Sequence, residues 1–245
     1  MKRCCYAACL LLIAELVGCQ SHPPLPEYQW VDQHQALNDL AEQADRIQTI
    51  MSRCDVRVDS DWRHSTVVQG AMVAKCPDHL RLRLWKWTHA ILDLTVTPEG
   101  VWLMLADEKD AQASGLANRE GIDQVSRFNQ FLSSAFFRDK KLEVVYDLDE
   151  LYMVRKTPGH GAIHCTVDRR TLTVKEYRFE NADGKLGAKL VLSDYRLVTD
   201  EIAWPYRWRW TFDKVKLDVK FVELDINVEL PERVFVPSRR AQKRS

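Results

Sequence analysis

The chain reads as α+β, mainly β: an antiparallel arrangement of about eleven strands with two helices. Three observations predict this. Apolar and polar residues alternate with a period of two through most of residues 55–228, the pattern of a sheet with one apolar and one solvated face. The connections between these segments are short, which makes neighbouring strands antiparallel. The stretch Trp204-Pro205-Tyr206-Arg207-Trp208-Arg209-Trp210-Thr211-Phe212 puts Trp204, Tyr206, Trp208, Trp210 and Phe212 on one face and Arg207 and Arg209 on the other. These aromatics are either ordinary core or the lining of a cavity for an apolar ligand. The many strands and few helices available to cover them favour the cavity.

The N-terminus reads as a targeting segment. Lys2 and Arg3 precede an apolar run, Tyr6 to Val17, of 12 residues, shorter than the ~20 that a spanning helix needs. It ends Leu16-Val17-Gly18-Cys19, which resembles a bacterial lipobox: removal of residues 1–18 and lipidation of Cys19 are expected. Glu15 within the run and Cys4, Cys5 and Cys9 depart from such a signal, and an ordinary signal peptide is the alternative. Residues 19–34, with Pro23, Pro24 and Pro26, read as an extended tether.

Gln35 to Met51 carries Leu37, Leu40, Ala41, Ala44, Ile47, Ile50 and Met51 at helical spacing, with Asp39, Glu42, Asp45 and Gln48 opposite. From Asp55 the period becomes two. Strands are predicted at 55–59, 66–75, 80–87, 90–97 and 101–106, the last pair joined by Pro98-Glu99-Gly100. Residues 108–120 read as a loop. Ile122 to Phe137 returns to helical spacing and includes Phe128 and Phe136. Strands resume at 142–146, 151–155, 163–168, 171–179, 186–198, 202–212 and 215–228, with Asn181-Ala182-Asp183-Gly184 as a turn. No linker divides the run, so residues 35–237 read as one domain. Residues 238–245 are a basic tail expected to fray.

Lys+Arg and Asp+Glu are both 35. That balance argues against a nucleic-acid binder, which needs a basic excess or stripe. Loss of residues 1–18 leaves Cys19, Cys54, Cys76 and Cys165. With Cys19 lipidated, at most one disulfide can form, and the spacing does not select the pair. No metal-binding spacing, phosphate loop or nucleophile motif is present in the sequence. His160, His164 and Cys165 form the most reactive-looking cluster. On a strand, however, residues four apart lie ~13 Å apart, and Cys165 faces away from His164. Asp147, Asp149 and Glu150 read as a charged hairpin turn. Trp85 and Trp87 close a strand before Thr88-His89; an exposed indole there could touch a membrane interface.

The order as a whole adds a resemblance. It rests on the lipobox, the helix entering a strand, Pro77-Asp78-His79-Leu80-Arg81-Leu82, the mid-chain helix, and the endings Asp225-Ile226-Asn227-Val228 and Pro231-Glu232-Arg233-Val234-Phe235-Val236-Pro237. Over residues 35–237 the chain resembles the LolA/LolB family of outer-membrane lipoprotein carriers and receptors. The resemblance implies a strongly curved antiparallel sheet, an incomplete β-barrel with a helical lid over an apolar cavity. It implies a non-enzyme without cofactor or metal, whose cavity takes lipid acyl chains or lipoprotein cargo. The lining candidates are Trp204, Tyr206, Trp208, Trp210, Phe212, Phe128 and Phe136. Receptors of this family are themselves lipoproteins, which Cys19 matches, and they expose an apolar loop residue, for which Trp87 is the candidate. The carrier's lid-closing arginine has no aligned counterpart. A monomer is expected, held in the outer membrane facing the periplasm and served by a soluble periplasmic carrier. Gln20 lacks the acid that retains some lipoproteins in the inner membrane. Two rivals stay open: an envelope scaffold with a filled core, and a hydrolase using His160, His164 and Asp147.

Overall fold

The computed structural model describes residues 23–60, 64–106, 133–157, 159, 161–212 and 215–244. Helix α1 (Gln33–Asp45) begins where the Asp32 carboxylate accepts the Gln35 N–H at 2.8 Å, an N-cap satisfying one of the free donors of the first turn. It buries Ala36, Leu40 and Ala41. It ends at Asp45 rather than running to Met51. The reason is visible in burial: Ile50, Ser52, Cys54 and Val56 are buried while Met51, Arg53, Asp55 and Arg57 are exposed, so the period of two starts at Ile50. Ser52 tolerates its inward position by donating its hydroxyl to the Met72 carbonyl at 3.2 Å.

The strands are β1 (Thr49–Ser60), β2 (His64–Lys75), β3 (His79–Lys86), β4 (His89–Thr97), β5 (Gly100–Leu105), β6 (Glu143–Tyr146), β7 (Glu150–Thr157), β8 (Gly161–Asp168), β9 (Thr173–Glu180), β10 (Leu186–Leu197), β11 (Ala203–Phe212), β12 (Val215–Ile226) and β13 (Gln242–Arg244). They form one antiparallel, curved sheet in the order β13-β5-β4-β3-β2-β1-β12-β11-β10-β9-β8-β7-β6. The sheet is therefore two meanders, β1 to β5 and β6 to β12, zipped together where β1 pairs with β12, Ile50 opposite Ile226 and Val58 opposite Leu217. Its ends, β13 and β6, do not meet, so the half-barrel is open as the sequence predicts.

The thirteenth strand corrects one expectation. The basic tail does not fray: Gln242 to Arg244 pairs with Val101 to Leu103, and the Lys243 ammonium lies 5.5 Å from the Trp102 ring centre. The bulk of the expected second helix, 122–132, lies outside the described residues, and its end, 133–137, forms a bend and turns. The tether is extended but docked. The Tyr28 N–H donates to the Arg170 carbonyl at 2.6 Å, the Tyr28 hydroxyl to Asp39 at 2.6 Å, and the Arg169 guanidinium sits 4.0 Å from the Trp30 ring centre.

The two faces of the sheet differ. The concave face and α1 bury one hydrophobic core. The convex face carries ion pairs, including Arg207 bidentate on Asp218 at 2.9 and 2.6 Å, and a buried pair under the C-terminal segment. There Arg81 holds Asp93, 1% exposed, at 2.9 and 2.8 Å and donates to the carbonyls of Val234 and Val236.

Candidate functional site

The aromatic strand forms the floor of the core. Trp204, Trp208 and Trp210 are all buried. Trp204 and Trp208 lie 5.5 Å apart and both meet Phe221 edge-on, at 6.3 and 4.7 Å. Trp210 stacks on Phe179 at 6.0 Å. Such offset and edge contacts leave gaps between large rings, and two chambers result.

The first chamber, about 120 Å³, lies beneath α1. Leu40 and Ala44 of the helix and Ile47 just beyond its end form its roof, Tyr177, Leu190, Leu192, Tyr195, Trp204 and Trp208 its floor, and Phe137 one side. Gln43 and Glu201, which are exposed, mark its solvent side. The Arg46 guanidinium reaches Glu201 at 3.5 Å, tying the helix end to the β10–β11 turn beside this opening. The second chamber, about 80 Å³, is walled by Cys54, Met72, Leu80, Leu82, Leu190, Trp208, Trp210, Leu217, Val219 and Phe221. Leu190 and Trp208 are walls of both chambers. Each chamber is smaller than the ~150 Å³ of a cavity that takes benzene. The rings thus fill much of the interior without sealing it.

The candidate residues divide accordingly. Trp204, Trp208 and Trp210 line the chambers. Tyr206 lines neither; it is half-buried, with the Arg196 guanidinium 4.4 Å from its ring centre. Phe136 is buried behind the first chamber, edge-on to Tyr177 at 5.9 Å and to Phe137 at 5.4 Å. Phe128, Cys19 and the side chain of Phe212 lie outside the described residues. Trp87 occupies the β3–β4 turn with φ 55° and is 84% exposed, its ring centre 5.6 Å from the Lys86 ammonium. The sequence reading missed Tyr177, Leu190, Leu192, Tyr195 and Phe221. Their alternation was legible, but their convergence depends on strand pairing. Tyr195 faces the chamber out of step with Leu190 and Leu192 because Asp194 adopts φ 56°, which shifts the alternation by one residue.

Groups suited to covalent chemistry are muted. Burial pushes the Cys54 thiol up to about 12 and the Cys76 thiol up to about 11, and raises that of Cys165 further, so all three are protonated at neutral pH. These cysteines are free. His164 faces away from Cys165 and lies 3.1 Å from Glu180; His160 is outside the described residues. Asp147 caps its hairpin turn, accepting the N–H groups of Glu150 at 2.8 Å and Asp149 at 2.9 Å, and these bonds hold its carboxyl below the usual range. A larger polar hollow of about 800 Å³ lies where the tether crosses the sheet. Its Glu150 is already held by Lys175 and Tyr152.

No protein-family model matches the chain, and no curated protein matches it. Solved structures do. A DUF1329 family protein from Desulfovibrio piger is 15% identical, with a TM-score of 0.60, covering 84% of this chain and 98% of its own. A domain from Vibrio parahaemolyticus described as outer membrane lipoprotein-sorting is 11% identical, with a TM-score of 0.57 over 83% and 97%. A LolA superfamily protein from Nitrosomonas europaea is 11% identical, with a TM-score of 0.54 over 82% and 97%. The fold is LolA/LolB-like.

Proposed function

We propose that this protein is a lipid-anchored envelope receptor that shelters an acyl chain, free or borne on a lipoprotein, in the chambers beneath α1. The observation that carries this reading is the pair of apolar chambers sharing Trp208 and Leu190 as walls, one of them reaching solvent beside Gln43 and Glu201. Each methylene taken from water contributes about 0.8 kcal/mol. Such binding needs apolar area and a roof that can lift, and no acid, base or nucleophile. The LolA-like fold supports the reading, since a neighbour of that fold is described as lipoprotein-sorting.

In this proposal Cys19 carries the lipid anchor. Several chains on one cysteine hold a membrane stably where one chain binds only reversibly. Trp87 touches the bilayer during transfer, the cargo arrives on a soluble periplasmic carrier, and the protein works as a monomer on the periplasmic face of the outer membrane.

The test is lipid carriage. Protein purified from membranes is expected to yield bound acyl chains by mass spectrometry, and the unlipidated form to take up a fluorescent apolar probe. A protein that carries no lipid and admits no probe would instead be an envelope scaffold with a filled core. The small chamber volumes favour that second reading.

A further inference from the structure

The two chambers differ chemically. The first has Gln43, Thr173 and Glu201 among its walls, whereas the second is apolar throughout. Trp204, a wall of the first, is 3% exposed, and its buried indole Nε1 meets no acceptor among the described residues. Native proteins pair nearly all buried N–H groups, so one left open beside a cavity needs an explanation. The nearby Tyr195 hydroxyl is already used, donating to the Val174 carbonyl at 2.7 Å. The indole N–H is therefore a buried donor still to be matched.

We infer that the occupant is a single-chain ester amphiphile held in one direction: its ester carbonyl accepts from Trp204 Nε1 in the first chamber, and its hydrocarbon end passes Trp208 into the second. This deepens the acyl-binding reading and rests on it. A carbonyl offers acceptors and no donors, so it completes the indole without creating a new unmatched group. A bare hydrocarbon leaves the N–H unsatisfied. The reverse direction puts the polar end into the chamber whose walls are all apolar, which costs its hydration without return. Leu190 and Trp208 have to part for the chain to pass, since about 120 and 80 Å³ each hold only a segment of it.

The test compares methyl decanoate with tridecane, molecules of equal heavy-atom count, by displacement of a fluorescent naphthylamine probe. Trp204→Phe keeps an aromatic ring and deletes the N–H. The ratio of ester to alkane affinity is expected to fall about three- to tenfold in Trp204→Phe. An unchanged ratio overturns the inference while leaving acyl binding intact. If the unmodified protein takes up neither molecule, the acyl-binding reading fails and the inference with it. A second readout needs no variant. In ¹⁵N-indole-labelled protein, the Trp204 resonance is expected to move downfield with methyl decanoate and not with tridecane, and equal responses overturn the assignment.

Discussion

The side-chain amide of Asn227 donates from Nδ2 to the backbone carbonyl of Arg46 at 2.7 Å. Its Oδ1 accepts the Gln48 N–H at 2.8 Å, and its own N–H donates to the Thr49 carbonyl at 2.9 Å. One side chain thus fastens the joint between α1 and β1, from a left-handed position at φ 60° that asparagine tolerates better than most residues. The helix is the roof of the first chamber, and this joint anchors its C-terminal end to the sheet.

Asn227→Ala is expected to lower stability by about 1–2 kcal/mol, from lost hydrogen bonds and a less tolerant backbone. Urea unfolding measures it. If the joint restrains the roof, the same variant admits the fluorescent probe faster than the unmodified protein.

Trp208→Ala separates the two consequences of the ring that divides the chambers. Removing it from the core is expected to cost about 3–5 kcal/mol. It also merges the chambers, so uptake of a long-chain probe rises while stability falls.

The convex-face clamp predicts an asymmetry between single and double variants. Arg81→Met leaves the Asp93 carboxylate, 1% exposed, without its bidentate partner. Arg83, 3.4 Å from the same carboxylate, stays in place, so the loss is expected to be about 1.5–3 kcal/mol, whereas replacing both Arg81 and Asp93 by apolar residues costs less. Because Arg81 also holds the carbonyls of Val234 and Val236, limited proteolysis of Arg81→Met is expected to cut first within 232–240.

Asp218 supplies a pH dependence. The hydrogen bonds from Arg207, with the nearby charges of Arg207 and Arg209, hold its carboxyl below the ordinary value. A depressed folded-state value means stability that is present above the unfolded value, about 3.9, and lost as pH falls through the folded one. Asp218→Asn is expected to be less stable than the unmodified protein at neutral pH. The gap narrows only below about pH 4, as denaturant midpoints across pH will show.

Trp87→Ser tests the membrane contact. The residue is 84% exposed, so the melting temperature is expected to hold. Retention of the unlipidated protein on phospholipid vesicles is expected to drop, and unchanged retention removes Trp87 from the transfer step.

Local alternation by itself determined the order of the twelve strands before the tail and most of their extents, though not the start of β1, and it separated the faces of most of them. Neighbouring side chains on a strand cannot share a face, so Leu80, Leu82 and Leu84 were separable from Arg81 and Arg83 without coordinates. The Asp147 turn was legible for the same local reason, its carboxylate capping N–H groups two and three residues on. Long-range pairing decided the rest. Asn227, far along the chain, ties the joint between α1 and β1, and the tail became a strand because the edge of β5 offered it unpaired backbone groups. The chambers exist because β1 pairs with β12, bringing Cys54 and Met72 against Phe221 and Trp208, and because the left-handed Asp194 turns Tyr195 inward. A period of two reports the face of each residue; only the register between distant strands places the residues that meet there.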